Sequence, residues 1–305
     1  MGDRAFYRHY LLLAVPMILQ NAITNLVSFL DNIMVGQLGT EQMSGVAIVN
    51  QLIFVYNLAI FGAVSAASIF GAQYFGNGDH RGHMHSFRFK LYATLLVSGL
   101  TMLLLLTKGS DLISLYLTDT AGNGATDVAL QYGKQYLVIM LVGLVPFAVN
   151  QAYATNIKET GQTLVPMLAS FVAVGTNAVL DYLLIFGVGP FPELGVTGAA
   201  LATVIARYVE AVIVVLWAHR NREKNRYLEG AYRGFGIPVS ELKTILIKGL
   251  PLMFNEVLWA AGMTTVTQCY SVRGLDVVAG LNIATTITNL FNIVYIQLGA
   301  CISIV

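Results

Sequence analysis

Acidic side chains stand inside long apolar stretches of this 305-residue chain. Asp31, Asp181 and Glu256 are the clearest cases. If these stretches cross a bilayer, each charge costs about 2.5–3.5 kcal/mol on membrane-insertion scales, so such residues are functional candidates by default. Oxygen-rich clusters of this kind suit a hard monovalent cation, or a proton that two carboxylates share.

Asp181 has a polar neighbour on its own helix face. Asn177 precedes it by four residues in GTNAVLDYLLIFG, a spacing that places both side chains on one side of a helix. Asp31 would add a second carboxylate from the first helix. Both aspartates also lie toward the ends of their predicted helices, so capping of helix ends is the alternative interpretation.

Two further groups of ionisable residues carry weaker signals. Arg207 and Glu210 are three residues apart in an apolar stretch, and we interpret them as a self-neutralising pair. His80, His83 and His85 stand together in GDHRGHMHS without a cysteine. A short tract of this kind rarely makes a closed metal site, so a solvated loop is expected there.

The composition identifies the elements that must position these residues. Hydrophobic residues make up 56% of the chain and charged residues 11%, against roughly 25% charged in an average soluble domain. The chain is therefore predicted to be an integral membrane protein.

A net charge of +1 excludes nucleic-acid binding through bulk basicity, and two cysteines in apolar stretches, Cys269 and Cys301, exclude a disulfide framework. The motifs of phosphate loops, zincins and nucleophile elbows are absent from the sequence.

The long apolar runs predict membrane-spanning helices, because a helix needs about 20 mainly apolar residues to cross the hydrocarbon core. Nothing alternates as the strands of a barrel would. The first run is too long for a cleavable signal peptide. We predict eight helices, near 10–36, 45–75, 88–107, 130–155, 163–187, 195–219, 242–270 and 277–305. Thirteen basic residues on one side against three on the other predict a cytoplasmic N-terminus.

The sequence also contains an internal repeat. A shift of 235 residues aligns identical residues without a gap: Pro16 with Pro251, Gly39 with Gly274, Gly45 with Gly280, Ile48 with Ile283 and Asn57 with Asn292. Six predicted helices separate the copies, so both have the same orientation, as in parallel repeats of transporters. The second copy holds only two helices. We expect an incomplete second lobe; an eight-helix protein is the alternative.

Several motifs resemble the multidrug and toxic compound extrusion (MATE) family of transporters. They are LDNIMVGQLG at 30–39, SIFGAQYFGNGD at 68–79, KETGQTLVPM at 158–167, and LDYLLIFG followed by GVTGAALAT. The resemblance implies two six-helix lobes in a complete transporter. The expected fold is therefore all-α integral membrane, with a six-helix lobe at 1–219, a cytoplasmic linker at 220–241 and the start of a second lobe at 242–305.

The resemblance also implies roles for single residues. Prokaryotic members hold a cation with acidic, amide and hydroxyl side chains of the first lobe, and the matching residues here are Asp31, Asn177, Asp181 and Thr203. Pro16 matches the first-helix proline at which that helix bends on protonation. Glu256 matches a seventh-helix acid that some members have.

The expected function is a cation-coupled antiporter that exports organic, often cationic, drugs by alternating access. It would act as a monomer in the plasma membrane, with no cofactor besides H+ or Na+ as coupling ion, and the residues do not choose between the two. A lipid-linked oligosaccharide flippase is the alternative, but its phosphate cargo would require several basic residues inside the spans, which away from their ends hold essentially Arg207 alone. An intramembrane enzyme would need a nucleophile–base or di-metal set that the spans lack.

Overall fold

The structure, a computed structural model, describes residues 4–115, 125–233, 236–271, 288, 291–292 and 294–302. Its long elements are α-helices in this part of the chain: α1 (Arg4–Gly36), α2 (Thr40–Gly76), α3 (His80–Ser114), α4 (Ala125–Val142), α5 (Leu144–Glu159), α6 (Leu164–Phe186), α7 (Val196–Arg220) and α8 (Val239–Ser271). A single 3-10 turn, Arg226–Leu228, lies in the segment between α7 and α8. The all-helical membrane fold expected from the sequence is confirmed.

The helices α1 to α7 run up and down in one bundle, and neighbours along the chain pack together in the pairs α2–α3 and α6–α7. The turns at Gly76–His80 and Glu159–Leu164 share one end with the segment that follows Arg220. We call this the linker end, and the opposite one the far end. Five described helices are long and apolar enough to cross a membrane, or six if the bent pair α4 and α5 forms one span.

The predicted helix at 130–155 is two helices, which meet at Gly143 with a bend of 44°. Pro146 stands in the first turn of α5, where its ring would clash with a carbonyl of the preceding turn if the helix were continuous. The backbone at the bend is bonded from outside, because the Tyr56 hydroxyl donates to the Leu144 carbonyl at 2.8 Å. The bend therefore follows from Pro146 and is stabilised by α2.

The helices α1 and α8 contain the two prolines that the internal repeat aligns. The shift of 235 residues carries Pro16, inside α1, onto Pro251, inside α8. The predicted last helix at 277–305 lies largely outside the described residues. Its described part at 294–302 is helical and meets α1, where the Tyr10 hydroxyl donates to the Leu298 carbonyl at 2.8 Å.

The outer surface of the bundle is apolar. On α3, a row of leucines is exposed that a protein in water would bury: Leu95, Leu96, Leu100, Leu103, Leu104 and Leu106. The buried face of the same helix includes small polar residues, Thr94 and Ser98, besides apolar ones. Such a distribution is that of a helix with lipid on one side and protein on the other.

Small residues allow α2 and α4 to approach closely. A Cβ atom added at Gly45 would lie 2.5 Å from the Ala129 carbonyl oxygen and 2.8 Å from the Gly133 backbone nitrogen. Both obstacles are backbone atoms, which cannot move aside as a flexible side chain can. The contact therefore requires glycine at position 45.

We predict that Gly45→Ala lowers the apparent melting temperature of the protein in detergent, because overpacking of a tight contact costs about 1–3 kcal/mol. The matched control is Gly99→Ala on α3, where an added Cβ meets nothing within 4 Å. Fluorescence-detected size-exclusion chromatography after heating measures both variants. Equal melting temperatures for the two would contradict the close α2–α4 contact.

Candidate functional site

A cavity of about 390 Å³ opens among α1, α2, α4, α5, α6 and α7. Its polar lining residues are Thr24, Asp31, Asn32, Asn50, Asn57, Tyr136, Ser170, Asn177, Thr203, Arg207 and Glu210. Its apolar lining residues are Ile53, Phe54, Met140, Phe147, Ala173, Val174 and Ala206. A few polar groups among apolar and aromatic walls, in a volume of this size, are typical of a site for a small organic molecule.

The polar lining forms two levels along the helix axes. Asp31, Asn177 and Thr203 form the upper level, toward the far end, and Thr24, Ser170 and Glu210 form the lower level. Each lower residue is seven positions from an upper residue of its own helix. Seven residues are two helical turns, so the levels are about 10 Å apart and on the same helix faces.

Asp31 and Asp181 belong together at the upper level. Asp181 is 1% exposed, and its carboxylate is close enough to that of Asp31 for the two charges to interact. The Oδ1 atoms of both residues are buried without a hydrogen-bond partner among the described residues. Buried carboxylate oxygens that lack a protein partner are the ligands that a small cation would require.

Tyr136 completes the upper level, and the sequence analysis missed it. Its ring is 1% exposed, and its hydroxyl donates to Asn50 Oδ1 at 3.3 Å. It is within electrostatic range of Asp31, Asp181 and Arg207. A tyrosine in an aromatic-rich chain carries no signal of its own, and only the packing of α4 against α2 and α7 brings it near the carboxylates.

Arg207 and Glu210 differ from the self-neutralising pair expected from their spacing. No ion pair within 4.0 Å joins them in the part of the chain that the structure describes. Glu210 Oε1 accepts a hydrogen bond from Ser170, whose Oγ in turn accepts one from Gln20 Nε2 at 2.7 Å. Arg207 instead donates to the Gly143 carbonyl at 3.4 Å. The two charges have separate partners and both line the cavity.

Of the two other predicted residues, Pro16 does not line this cavity. Pro16 is buried inside α1, one turn before Gln20. Glu256 belongs to α8, and its side chain lies outside the described part of the structure. The structure thus brings together Asp31, Asn177, Asp181 and Thr203, while Pro16 stands apart from them.

A second polar cluster lies at the linker end, inside the bundle. Lys90 is 0% exposed and donates to Glu159 Oε1 and to Asn156 Oδ1. His83 Nε2 lies 3.3 Å from Glu159 Oε2 and 3.2 Å from Asn156 Nδ2. The expectation of a solvated histidine loop is therefore wrong: these histidines belong to the first turns of α3, which buries His83.

Two motifs that carry the family resemblance meet at this cluster. Gly71 of the stretch 68–79 is so close to the Glu159 carboxylate that a Cβ atom there would collide with it. In the same stretch, Asp79 caps α3 by accepting hydrogen bonds from the backbone nitrogens of Arg81 and Gly82 at 3.1 and 3.0 Å. The glycine and the aspartate therefore have identifiable structural roles.

The segment between α7 and α8 is fastened to this end of the bundle. The Arg88 guanidinium donates to three of its carbonyls, those of Gly230, Ala231 and Gly236, at 2.7–2.8 Å. Tyr232 exchanges a hydrogen bond with Tyr153 of α5, and burial raises the pKa of the Tyr232 hydroxyl above its ordinary value of 10.0. Across the described residues, no three His, Cys, Asp or Glu side chains form a group that could hold a metal ion.

The chain is similar to known proteins along most of its length. The sequence profile of the family described as MatE matches residues 16–183. A probable multidrug resistance protein NorM of Thermotoga maritima is 26% identical over 280 residues, which are 91% of this chain and 58% of that protein. A NorM of Bacillus licheniformis is 27% identical over 248 residues, 81% and 53% respectively. The chain therefore spans between half and three fifths of these curated relatives.

Solved structures show the same fold. A crystal structure of MATE in the bent conformation has a TM-score of 0.82 and 23% identity, and the alignment covers 97% of this chain and 63% of that one. An outward-facing multidrug resistance MATE family transporter has a TM-score of 0.82 at 22% identity, with 96% and 63% covered.

We predict that Lys90→Met destabilises the protein by roughly 3–5 kcal/mol, because it leaves the Glu159 carboxylate buried without its cation. The double variant Lys90→Met/Glu159→Gln removes both charges and should recover most of the lost thermal stability. Lys108→Met, which removes a partner of an exposed ion pair at 66% and 70% exposure, is the control. Melting in detergent compares the three, and equal effects of the two single variants would argue against a buried ion pair.

Proposed function

The chain belongs to the MatE family, and on that premise we propose that it works in an efflux antiporter that exports small organic drugs in exchange for H+ or Na+. The family is one of transporters, so the protein is a multi-pass membrane protein and not an enzyme. The names of its relatives refer to multidrug resistance. The coupling ion, the cargo and the exchange mechanism are the proposed part.

The observation that carries the proposal is the pair of buried carboxylate oxygens without partners, Asp31 Oδ1 and Asp181 Oδ1, beside a cavity of drug-sized volume. Two like charges in a low-dielectric interior repel each other, and a bound cation or proton removes that repulsion. Asn177 and Thr203 would add neutral oxygens. The upper level is therefore proposed to be the coupling-ion site, and the rest of the cavity to hold the cargo.

To couple ion binding to drug export, occupancy of the ion site must change the conformation of a helix that lines the cavity. Asp31 and Pro16 are on the same helix, α1, fifteen residues apart. Proline removes one helical hydrogen bond, so α1 bends more easily there than elsewhere. We propose that ion binding at Asp31 changes the bend of α1 at Pro16 and thereby the shape of the cavity. Among the similar solved structures, one is described as MATE in the bent conformation and another as MATE in the straight conformation.

The organisation proposed for the chain is a lobe at 1–219, a linker at 220–241 and the start of a second, parallel lobe at 242–305. The internal repeat of the sequence supports it, since its aligned prolines, Pro16 and Pro251, lie inside α1 and α8. Glu256 remains a candidate for a second coupling acid because α8 is the counterpart of α1. We propose that the protein acts as a monomer in the plasma membrane with its linker end in the cytoplasm, since that end carries most basic residues.

A flippase for lipid-linked phosphates fits the cavity less well. Such a cargo carries several negative charges and needs several Arg or Lys side chains. Among the described residues that line the cavity, one is Arg or Lys, namely Arg207, and Glu210 stands about one helical turn from it. The lining therefore favours small organic molecules over phosphorylated lipids.

We predict that Asp31→Asn in the complete transporter abolishes efflux driven by an imposed gradient. Asparagine keeps the shape of aspartate and one of its oxygens but removes the charge that holds a cation or proton. Protein in the membrane should stay at the wild-type level, because neutralising a buried charge eases insertion. Pro16→Ala should slow transport more mildly. Ethidium efflux from proteoliposomes under a sodium or a proton gradient measures both.

The matched control is Asp111→Asn, which makes the same chemical change at an exposed position of α3, 70% accessible. It should transport at the wild-type rate. If Asp31→Asn also transports at that rate under an imposed gradient, the coupling site lies elsewhere. A lower membrane level together with weaker dye binding would point to misfolding instead of lost coupling.

A further inference from the structure

The α7 wall of the cavity presents two opposite charges that do not neutralise each other. Arg207 and Glu210 are both on α7, three residues apart, and both line the cavity. Their charges attract at a distance, yet neither bonds the other within 4.0 Å among the described residues. Two charges on one helix face that each remain accessible can bind two groups of one ligand.

Arg207 has hydrogen-bond donors to spare. A guanidinium has five N–H donors, and Arg207 uses one of them in a long bond of 3.4 Å to the Gly143 carbonyl. Its charged carbon lies 5.1 Å from the centre of the Phe147 ring, which also lines the cavity. A guanidinium beside a ring makes no hydrogen bond to it and so keeps its N–H donors for a planar acceptor, and a carboxylate matches them with two parallel bonds.

Glu210 is held in place from the opposite side. Ser170 of α6 donates to its Oε1, and Gln20 of α1 donates to Ser170 at 2.7 Å. Hydroxyl and amide donors orient a carboxylate without cancelling its charge. Lys158 of α5 adds a distant attraction but no ion pair within 4.0 Å in the described chain. The carboxylate therefore stays available to a cationic group.

We propose that Arg207 and Glu210 form the cargo-binding pair of this protein and select zwitterionic organic molecules, with the cargo's acidic group on Arg207 and its basic group on Glu210. The proposal rests on the proposed function, because it assigns the cargo chemistry of the same cavity. Glu210 belongs to the lower level, two helical turns from Thr203, and Arg207 lies between the two levels, about one turn from each. The coupling ion is proposed for the upper level.

A pair of dyes that differ in one group tests the site. Rhodamine 110 carries a free carboxylate beside its cationic ring system, and rhodamine 123 is its methyl ester, with the cation alone. Fluorescence anisotropy measures binding of each dye to the detergent-purified complete transporter. We expect rhodamine 110 to bind about tenfold more tightly, because a charge-assisted bidentate bond is lost in the ester.

Variants separate the two charges. Arg207→Gln should abolish the preference for rhodamine 110 and leave rhodamine 123 binding within about twofold. Arg207→Lys keeps the charge but not the planar fork, so its preference should be intermediate. Glu210→Gln should weaken both dyes by a similar factor, because both contain the cation. Arg81→Gln, on the exposed first turn of α3, should leave both affinities unchanged.

Equal binding of the two dyes by the unmodified protein would overturn the proposal, and so would an undiminished preference in Arg207→Gln or Arg207→Lys. An equally weakened affinity for both dyes in Arg207→Gln would assign Arg207 a merely structural role. Asp31→Asn should retain the dye preference, because it changes the upper level alone. Efflux by Asp31→Asn therefore tests ion coupling, and dye binding by Arg207→Gln tests cargo recognition, so the failure of one proposal can be distinguished from the failure of the other.

Discussion

The need to satisfy every polar group inside the protein governs this structure, because lipid offers no hydrogen bonds. The backbone does so by forming helices, and where a helix is interrupted another side chain replaces the missing partner. At the bend between α4 and α5, the Tyr56 hydroxyl bonds the Leu144 carbonyl and Arg207 bonds the Gly143 carbonyl. The same rule makes the exceptions informative. The Oδ1 atoms of Asp31 and Asp181, which lack partners among the described residues, lie near a cavity formed by six helices, where an ion or a ligand would supply the missing contacts.

Close helix packing is the second requirement, and it connects the cavity to the rest of the bundle. Gly45 allows α2 to touch the backbone of α4, and α4 in turn carries Tyr136 toward the carboxylates. At the linker end, Gly71 leaves room for the Lys90–Glu159 ion pair, which joins α3 to α5. Both glycines are thus needed for the position of a polar side chain on a neighbouring helix.

The all-helical membrane fold could be predicted from the sequence, because it depends on local pattern. Long apolar runs indicated the helices, and Asp31 and Asp181 were recognisable as charges in apolar surroundings. Features that depend on neighbouring helices were missed. The spacing of Arg207 and Glu210 suggested a pair, but Ser170 and Gly143 compete for them. The polar tract around His83 suggested a loop, but Glu159 of another helix makes a buried position favourable. Pro146 did mark the bend at Gly143, and the prediction of one helix there gave it too little weight.

Some helices are much longer than is needed to cross a membrane. The hydrocarbon core is about 30 Å thick, which a helix of 20 residues crosses. At 23 residues α6 is close to that length, whereas α2 and α3 have 37 and 35. The surplus of α3 at the linker end includes His83, Arg88 and Lys90, ahead of the exposed leucines that begin at Leu95. The two parts of α3 therefore suit two environments. Its exposed leucines suit the hydrocarbon core of the bilayer, and its basic first turns suit the headgroup region. In a thinner or thicker membrane, the tilt of the longest helices would change, and with it the position of the boundary between the basic turns and the leucines of α3.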